Sequence, residues 1–213
     1  MKALFINTQA KVSPAELKAL LKKVRIKGKI GLVSIIQYIH LLPEIQNFIQ
    51  GSVILGQVTG CNLSNLSKAK VDSYLYIGPG KFHPIYIARK TKKPTYILNP
   101  ETEEFSQISN KEIEQYEKQR LGKIKKFIAA DRIGIIVSTK PGQENLKLAL
   151  KLKASLKQES FIFAANTLQL EELENFPQIQ FWVNTSCPRI EGNNLINFED
   201  IPKAYIPVKP KAK

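Results

Sequence analysis

The sequence is poor in the residues that usually announce chemistry. Its 213 residues include two cysteines, two histidines, one methionine and one tryptophan. Two thiols this far apart, Cys61 and Cys187, exclude a disulfide-stapled scaffold and a local CxxC metal motif. No run of about 18 apolar residues occurs, which excludes a membrane-spanning helix. The apolar part of MKALFINTQAKV is too short for a signal peptide. These absences predict a reducing, intracellular setting, the cytoplasm. Negative charge is also scarce, with 18 acidic against 32 basic residues and a formal net charge of +14. Such an excess fits a polyanionic partner, and equally a lysine-rich composition with no such partner. Aromatic residues make up 8% of the chain, and no stacking-plus-basic motif is visible. An RNA- or nucleotide-binding module is therefore the weaker reading, and direct nucleic-acid binding is not the expected role.

What is present is a strand–helix alternation. Strands are expected at Ala3–Asn7, Ile30–Ile36, Ser52–Leu55, Ser73–Ile77, Thr95–Leu98, Arg132–Ser138, Phe161–Ala165 and Phe181–Thr185. Capping boxes at Ser13-Pro14-Ala15-Glu16 and Ser109-Asn110-Lys111-Glu112 open two helices. Further helices are expected over Leu42–Ile49, Ile85–Thr91, Asn145–Leu156 and Leu168–Asn175. The class is α/β, with related small domains that each carry a parallel sheet flanked by helices. The expected division is 1–28, a last strand and helix of an incomplete first domain; 29–108, an α/β domain with Cys61; 109–202, another with Cys187; and 203–213, a basic tail.

Chemistry-bearing residues fall in loops after strands, where ligands bind in open α/β sheets. Cys187 follows the strand Phe181–Thr185, on a turn that Pro188 makes rigid, beside the cation Arg189. It is a ligand or nucleophile, or else a buried structural thiol. Cys61 lies in the glycine-flanked loop Gly56–Asn62. A zinc site of both thiols with His40 and His83 has no support from spacing. Gly78-Pro79-Gly80 either cradles an anion with its N–H groups or is simply a turn. His83, placed in the loop after it, is a loop-fixing imidazole or an acid–base group. Thr139-Lys140-Pro141-Gly142-Gln143 precedes a helix N-terminus, a setting for a carboxylate or phosphate, but it is not a Walker loop.

Taken in order, GQVTGCNLS (Gly56–Ser64), VDSYLYIGPGKFHPIYIA (Val71–Ala88), KKPTYILNP (Lys92–Pro100), GIIVSTKPGQ (Gly134–Gln143) and WVNTSCPRI (Trp182–Ile190) resemble the archaeal diphthamide synthesis enzymes, the 2-(3-amino-3-carboxypropyl)histidine synthase family. The resemblance covers about residues 29–200. It implies three related α/β domains arranged around a central site, and a 4Fe-4S cluster held by three cysteines, one per domain. It further implies S-adenosylmethionine as substrate on the open iron and a transferase with radical chemistry. That chemistry would move the 3-amino-3-carboxypropyl group to a histidine of elongation factor 2. By this resemblance Cys61 and Cys187 are the metal ligands of the second and third domains. Gly78, Gly80, His83, Thr139, Lys140, Gln143 and Arg189 are the substrate-binding candidates.

The family's first domain and its cysteine have no counterpart in the motifs above. The expected partners are therefore a second polypeptide that supplies them, elongation factor 2, and a dimer-type assembly. A non-catalytic scaffold subunit is the alternative.

Overall fold

A computed structural model describes residues 4, 6, 8–59, 66 and 68–205. Its centre in the N-terminal half is a pair of strands, β1 (Ile30–Ser34) and β3 (Ser73–Ile77), in which every residue is buried. A strand covered on both faces must be apolar throughout, and IGLVS and SYLYI come close to that. The two pair in parallel, β2 (Ser52–Gln57) flanks β1, and β4 (Thr95–Asn99) flanks β3. An antiparallel strand, β5 (Glu104–Gln107), closes the order β2-β1-β3-β4-β5.

Alternation along the strands divides the core. Leu32, Leu75 and Ile77 meet α1 (Pro14–Leu21) and α2 (Leu42–Phe48) on one face. Val33, Tyr74 and Tyr76 meet α3 (Phe82–Thr91) on the other. The Ser13–Glu16 capping box is formed in both directions. The helix it opens contributes Leu17, Leu20 and Leu21 to this same core. Of the expected first strand, Ala3–Asn7, only Leu4 and Ile6 are described; both are exposed and neither is in a strand.

The chain divides into two compact units, residues 1–115 and 116–213. The boundary falls within α4 (Asn110–Ala129). The second unit is a four-stranded parallel sheet of order β7-β6-β8-β9. Its strands are β6 (Arg132–Ser138), β7 (Glu159–Ala165), β8 (Phe181–Asn184) and β9 (Leu195–Asn197). Ile133, Ile135 and Val137 of β6 face Phe127 of α4 and Ala149 and Leu152 of α5 (Leu146–Ser155). Ile136 of β6 faces the other way, into a cluster with Trp182, Leu195 and the covering segment that holds Leu170, Leu173 and Phe176.

Several details differ from the sequence expectations. β1, expected to reach Ile36, ends at Ser34, and Ile36–Leu41 is a 3-10 helix. β7 begins at Glu159 rather than Phe161. β2 runs on to Gln57, so Gly56 and Gln57 belong to an edge strand whose register shifts opposite Leu32/Val33. α3 begins at Phe82 rather than Ile85, because proline is accepted in a first helical turn, where N–H groups lack partners anyway. His83 is therefore helical and not in a loop. The segment Leu170–Asn175 is a 3-10 helix. β5 and β9 were not expected, since one is polar and the other is three residues long.

Candidate functional site at the strand ends of the second sheet

β6 is followed by α5 and then β7 on one side, while β8 pairs on its other side. The strand order thus reverses at β6/β8, and such a switch point opens a crevice at the carboxyl ends of the strands. A cleft of about 250 Å³ lies there, lined among others by Ser138, Lys140, Gln143, Asn166, Thr167 and Cys187. Three of the expected site residues of this unit are thus brought together: Lys140, Gln143 and Cys187. Thr139 and Arg189 are exposed and are not part of this lining.

The Lys140 loop is shaped by its own backbone. Ser138 Oγ accepts from Lys140 N at 3.1 Å, and Gln143 N donates to Lys140 O at 3.0 Å. The N-terminus of α5 is not open to an outside anion at Leu146, whose N–H donates to Glu144 Oε1 at 2.9 Å.

Cys187 is a free, half-buried thiol. Its turn is held by three asparagine amides from three places in the chain. Asn145 Nδ2 donates to Thr185 O at 2.8 Å, Asn184 Nδ2 to Cys187 O at 2.8 Å, and Asn197 Nδ2 to Pro188 O at 2.8 Å. Asn184 is 2% exposed. Its Nδ2 also donates to Asn197 Oδ1 at 2.8 Å, and its Oδ1 accepts from Ser186 N at 3.0 Å and Ser186 Oγ at 2.6 Å. Thr185 anchors the turn to β6, with both its N and Oγ1 donating to Ile136 O. None of these asparagines is among the candidate residues legible in the sequence. Only Asn184, an Asx residue just before a proline-containing turn, carried a local signal.

In the first unit, Gly78, Gly80 and His83 gather at the carboxyl end of β3. Gly78 has φ +144, and a Cβ there would lie 2.9 Å from Tyr76 Oη. Gly80 has φ +74. Tyr76 Oη donates to Pro79 O at 3.2 Å, and the His83 ring packs against Phe82 and Tyr76 at centroid distances of 5.1 and 5.9 Å. This loop is accounted for as a glycine turn that leads into α3. Cys61 lies outside the described residues.

An iron–sulfur cluster needs three or four thiolates. Cys187, with soft sulfur at the edge of a polar cleft, fits one of those positions. Among the described residues no group of three or more His, Cys, Asp or Glu could hold a metal ion. The described residues thus offer a single thiol, that of Cys187.

The fold and this site define a class: two α/β units with largely parallel sheets, the second presenting a cysteine at a strand end. A family model described as "Putative diphthamide synthesis protein" matches residues 1–201. The chain belongs to the diphthamide synthesis family. It is 32% identical over 205 residues to the 2-(3-amino-3-carboxypropyl)histidine synthase of Pyrococcus horikoshii, covering 88% of this chain and 58% of that protein. Against the enzyme of the same name from Methanocaldococcus jannaschii the identity is 28%, covering 86% and 52%. A Caenorhabditis elegans relative, named as subunit 1 of that synthase, is 31% identical over 63% of this chain and 35% of its own length. The crystal structure of Dph2 from Pyrococcus horikoshii with a 4Fe-4S cluster matches with a TM-score of 0.80 and 29% identity, over 92% of this chain and 63% of that one. The chain thus spans somewhat more than half the length of its archaeal relatives.

Proposed function

We propose that the chain is a subunit of a 4Fe-4S transferase that carries out the first step of diphthamide formation. In this reading the 3-amino-3-carboxypropyl group of S-adenosylmethionine is transferred to a histidine of elongation factor 2, leaving methylthioadenosine. The observation that carries it is the half-buried Cys187 at the edge of a cleft that also receives Lys140 and Gln143. Support comes from the synthase relatives and from the neighbour that holds a cluster.

Cys187 and Cys61 each supply one thiolate. When bound, the cluster supplies the electron that cleaves the bond between the sulfonium sulfur and the γ-carbon of the methionine part. Lys140 offers a cation for the substrate carboxylate. Gln143, Ser138 and Thr167 offer neutral hydrogen-bonding groups around it. Gly78, Gly80 and His83 of the first unit remain substrate-binding candidates, together with Thr139 and Arg189.

In this reading the third thiolate comes from a second polypeptide, in keeping with the Caenorhabditis elegans relative that is named as one subunit of its synthase. No helix among the described residues is long and apolar enough to cross a membrane, in keeping with a cytoplasmic role. The test is anaerobic reconstitution with a candidate companion chain. The expected result is about four irons per complex and formation of methylthioadenosine, both lost in Cys187→Ala and in Cys61→Ala. Retention of iron and product in both variants would leave a scaffold subunit as the reading.

A further inference from the structure

We propose that Asn184, acting with Asn145 and Asn197, is the positioning residue of the Cys187 turn. It sets the direction in which the thiol is presented to the cleft. The inference rests on the proposed role of Cys187 as a thiolate ligand.

An asparagine side chain has two N–H donors and one oxygen with two lone pairs. Asn184 uses all four: two donations, to Cys187 O and Asn197 Oδ1, and two acceptances, from Ser186 N and Ser186 Oγ. At 2% exposure it has no water to fall back on, so its orientation is fixed by these partners. One side chain thereby grips the residue before the cysteine by its N–H and the cysteine itself by its C=O. Asn145 and Asn197 take the carbonyls of Thr185 and Pro188.

Three carbonyls of the turn are thus drawn onto amide donors. A carbonyl oxygen aimed at a thiolate is repulsive, since both are negative, and it would work against metal binding. The turn's own backbone holds only one of the three, Ile190 N donating to Cys187 O at 3.0 Å beside the Asn184 amide. Residues brought from the start of α5 and from β9 hold the carbonyls of Thr185 and Pro188.

The experiment reads the thiol directly. Iodoacetamide alkylation of Cys187 is followed by mass spectrometry in a Cys61→Ser background, metal-free and reduced, with thermal unfolding measured in parallel. Asn184→Asp keeps the acceptor for Ser186 and loses both donations. Asn197→Asp keeps the acceptor for Asn184 and loses the donation to Pro188 O. Each is expected to lower the alkylation rate about tenfold, because a released carbonyl turned toward the sulfur disfavours the reacting thiolate; that factor corresponds to about 1.4 kcal/mol, the order of one buried hydrogen bond. Gln180→Ala is the control. It removes a pin on Asp131 N and Arg132 N at the opposite end of β8 and is expected to leave the rate unchanged.

If Asn184→Asp does not fold, Asn197→Asp decides. Rates within twofold of the parent, or above it, in the folded variants would overturn the proposal, and so would an equal fall in Gln180→Ala. Failure of the ligand reading shows separately. In that case Cys187→Ala would keep its full iron on reconstitution, while the asparagine variants still alter alkylation.

Discussion

Gly134→Ala tests the packing that carries the Cys187 strand. Gly134 is on β6, opposite Trp182 of β8. A Cβ built there would lie 2.3 Å from both Cε3 and Cζ3 of the indole and 3.0 Å from Ile179 Cγ2. Ordinary carbon contacts begin near about 3.5 Å, so the ring would have to retreat by about 1 Å. It has little room. Phe163 is edge-on to it at a centroid distance of 4.8 Å, and Phe176 lies at 6.1 Å. Overpacking of this kind costs about 1–3 kcal/mol, and the rigidity of an indole held by two further rings places this case toward about 3 kcal/mol. For a unit of about a hundred residues that corresponds to a fall in Tm of roughly 12–24 °C. Trp182 is the sole tryptophan, so its fluorescence during urea unfolding reports this unit alone. Gly122→Ala is the internal contrast. Gly122 is exposed within α4, and its Cβ would meet nothing within 4 Å. Greater helix propensity should therefore stabilise that variant by about 0.5–1 kcal/mol. A Gly134→Ala loss below about 0.5 kcal/mol would refute the close packing of Trp182 on β6.

Two further predictions concern the first unit. Glu112 is held down to a pKa of about 2 from 4.5, first by the Lys81 ammonium and then by the Ser109 N–H and hydroxyl. A carboxyl lowered on folding stabilises above its unfolded pKa. The advantage over Glu112→Gln should therefore be full above about pH 4.5 and vanish as the pH falls toward 2; Lys81 is 63% exposed, so screening limits it to about 1 kcal/mol, as urea melts across that range would show. Gly78→Ala should destabilise by about 1–3 kcal/mol, because φ +144 is strained for any L side chain and the new methyl meets Tyr76 Oη; an unchanged Tm would contradict the glycine-turn account of this loop.

The sheets were legible where apolar runs were bounded by turn residues. Ser73–Ile77 and Arg132–Ser138 stand at the limits their patterns give. Helix caps were equally clear, since Ser13 and Ser109 each bond a glutamate three residues on. Short edge elements were not. Glu104–Gln107 has no apolar alternation to mark it, and its place is decided by pairing with β4. The Cys187 turn was visible as a turn because of Pro188. Its fastening was not, because Asn145 acts from 40 residues away on Thr185 and Asn197 from 13 away on Asn184. Side-chain hydrogen bonds between distant segments leave no periodicity in a sequence.

The two strand-end loops also differ in how they are held, and the difference bears on function. The Gly78–Gly80 loop is fixed by glycine conformation, ring packing and the Tyr76 hydroxyl on Pro79 O. The Cys187 turn instead buries Asn184, a polar group that is unfavourable in a core unless every bond is made. A turn required only to reverse the chain has cheaper solutions in glycine. Side-chain amides gripping the carbonyls of Thr185, Cys187 and Pro188, that of Asn184 buried, fix the conformation of one particular residue. That residue is the cysteine at the cleft, and the polar network around it supports the proposed role of Cys187 as a ligand.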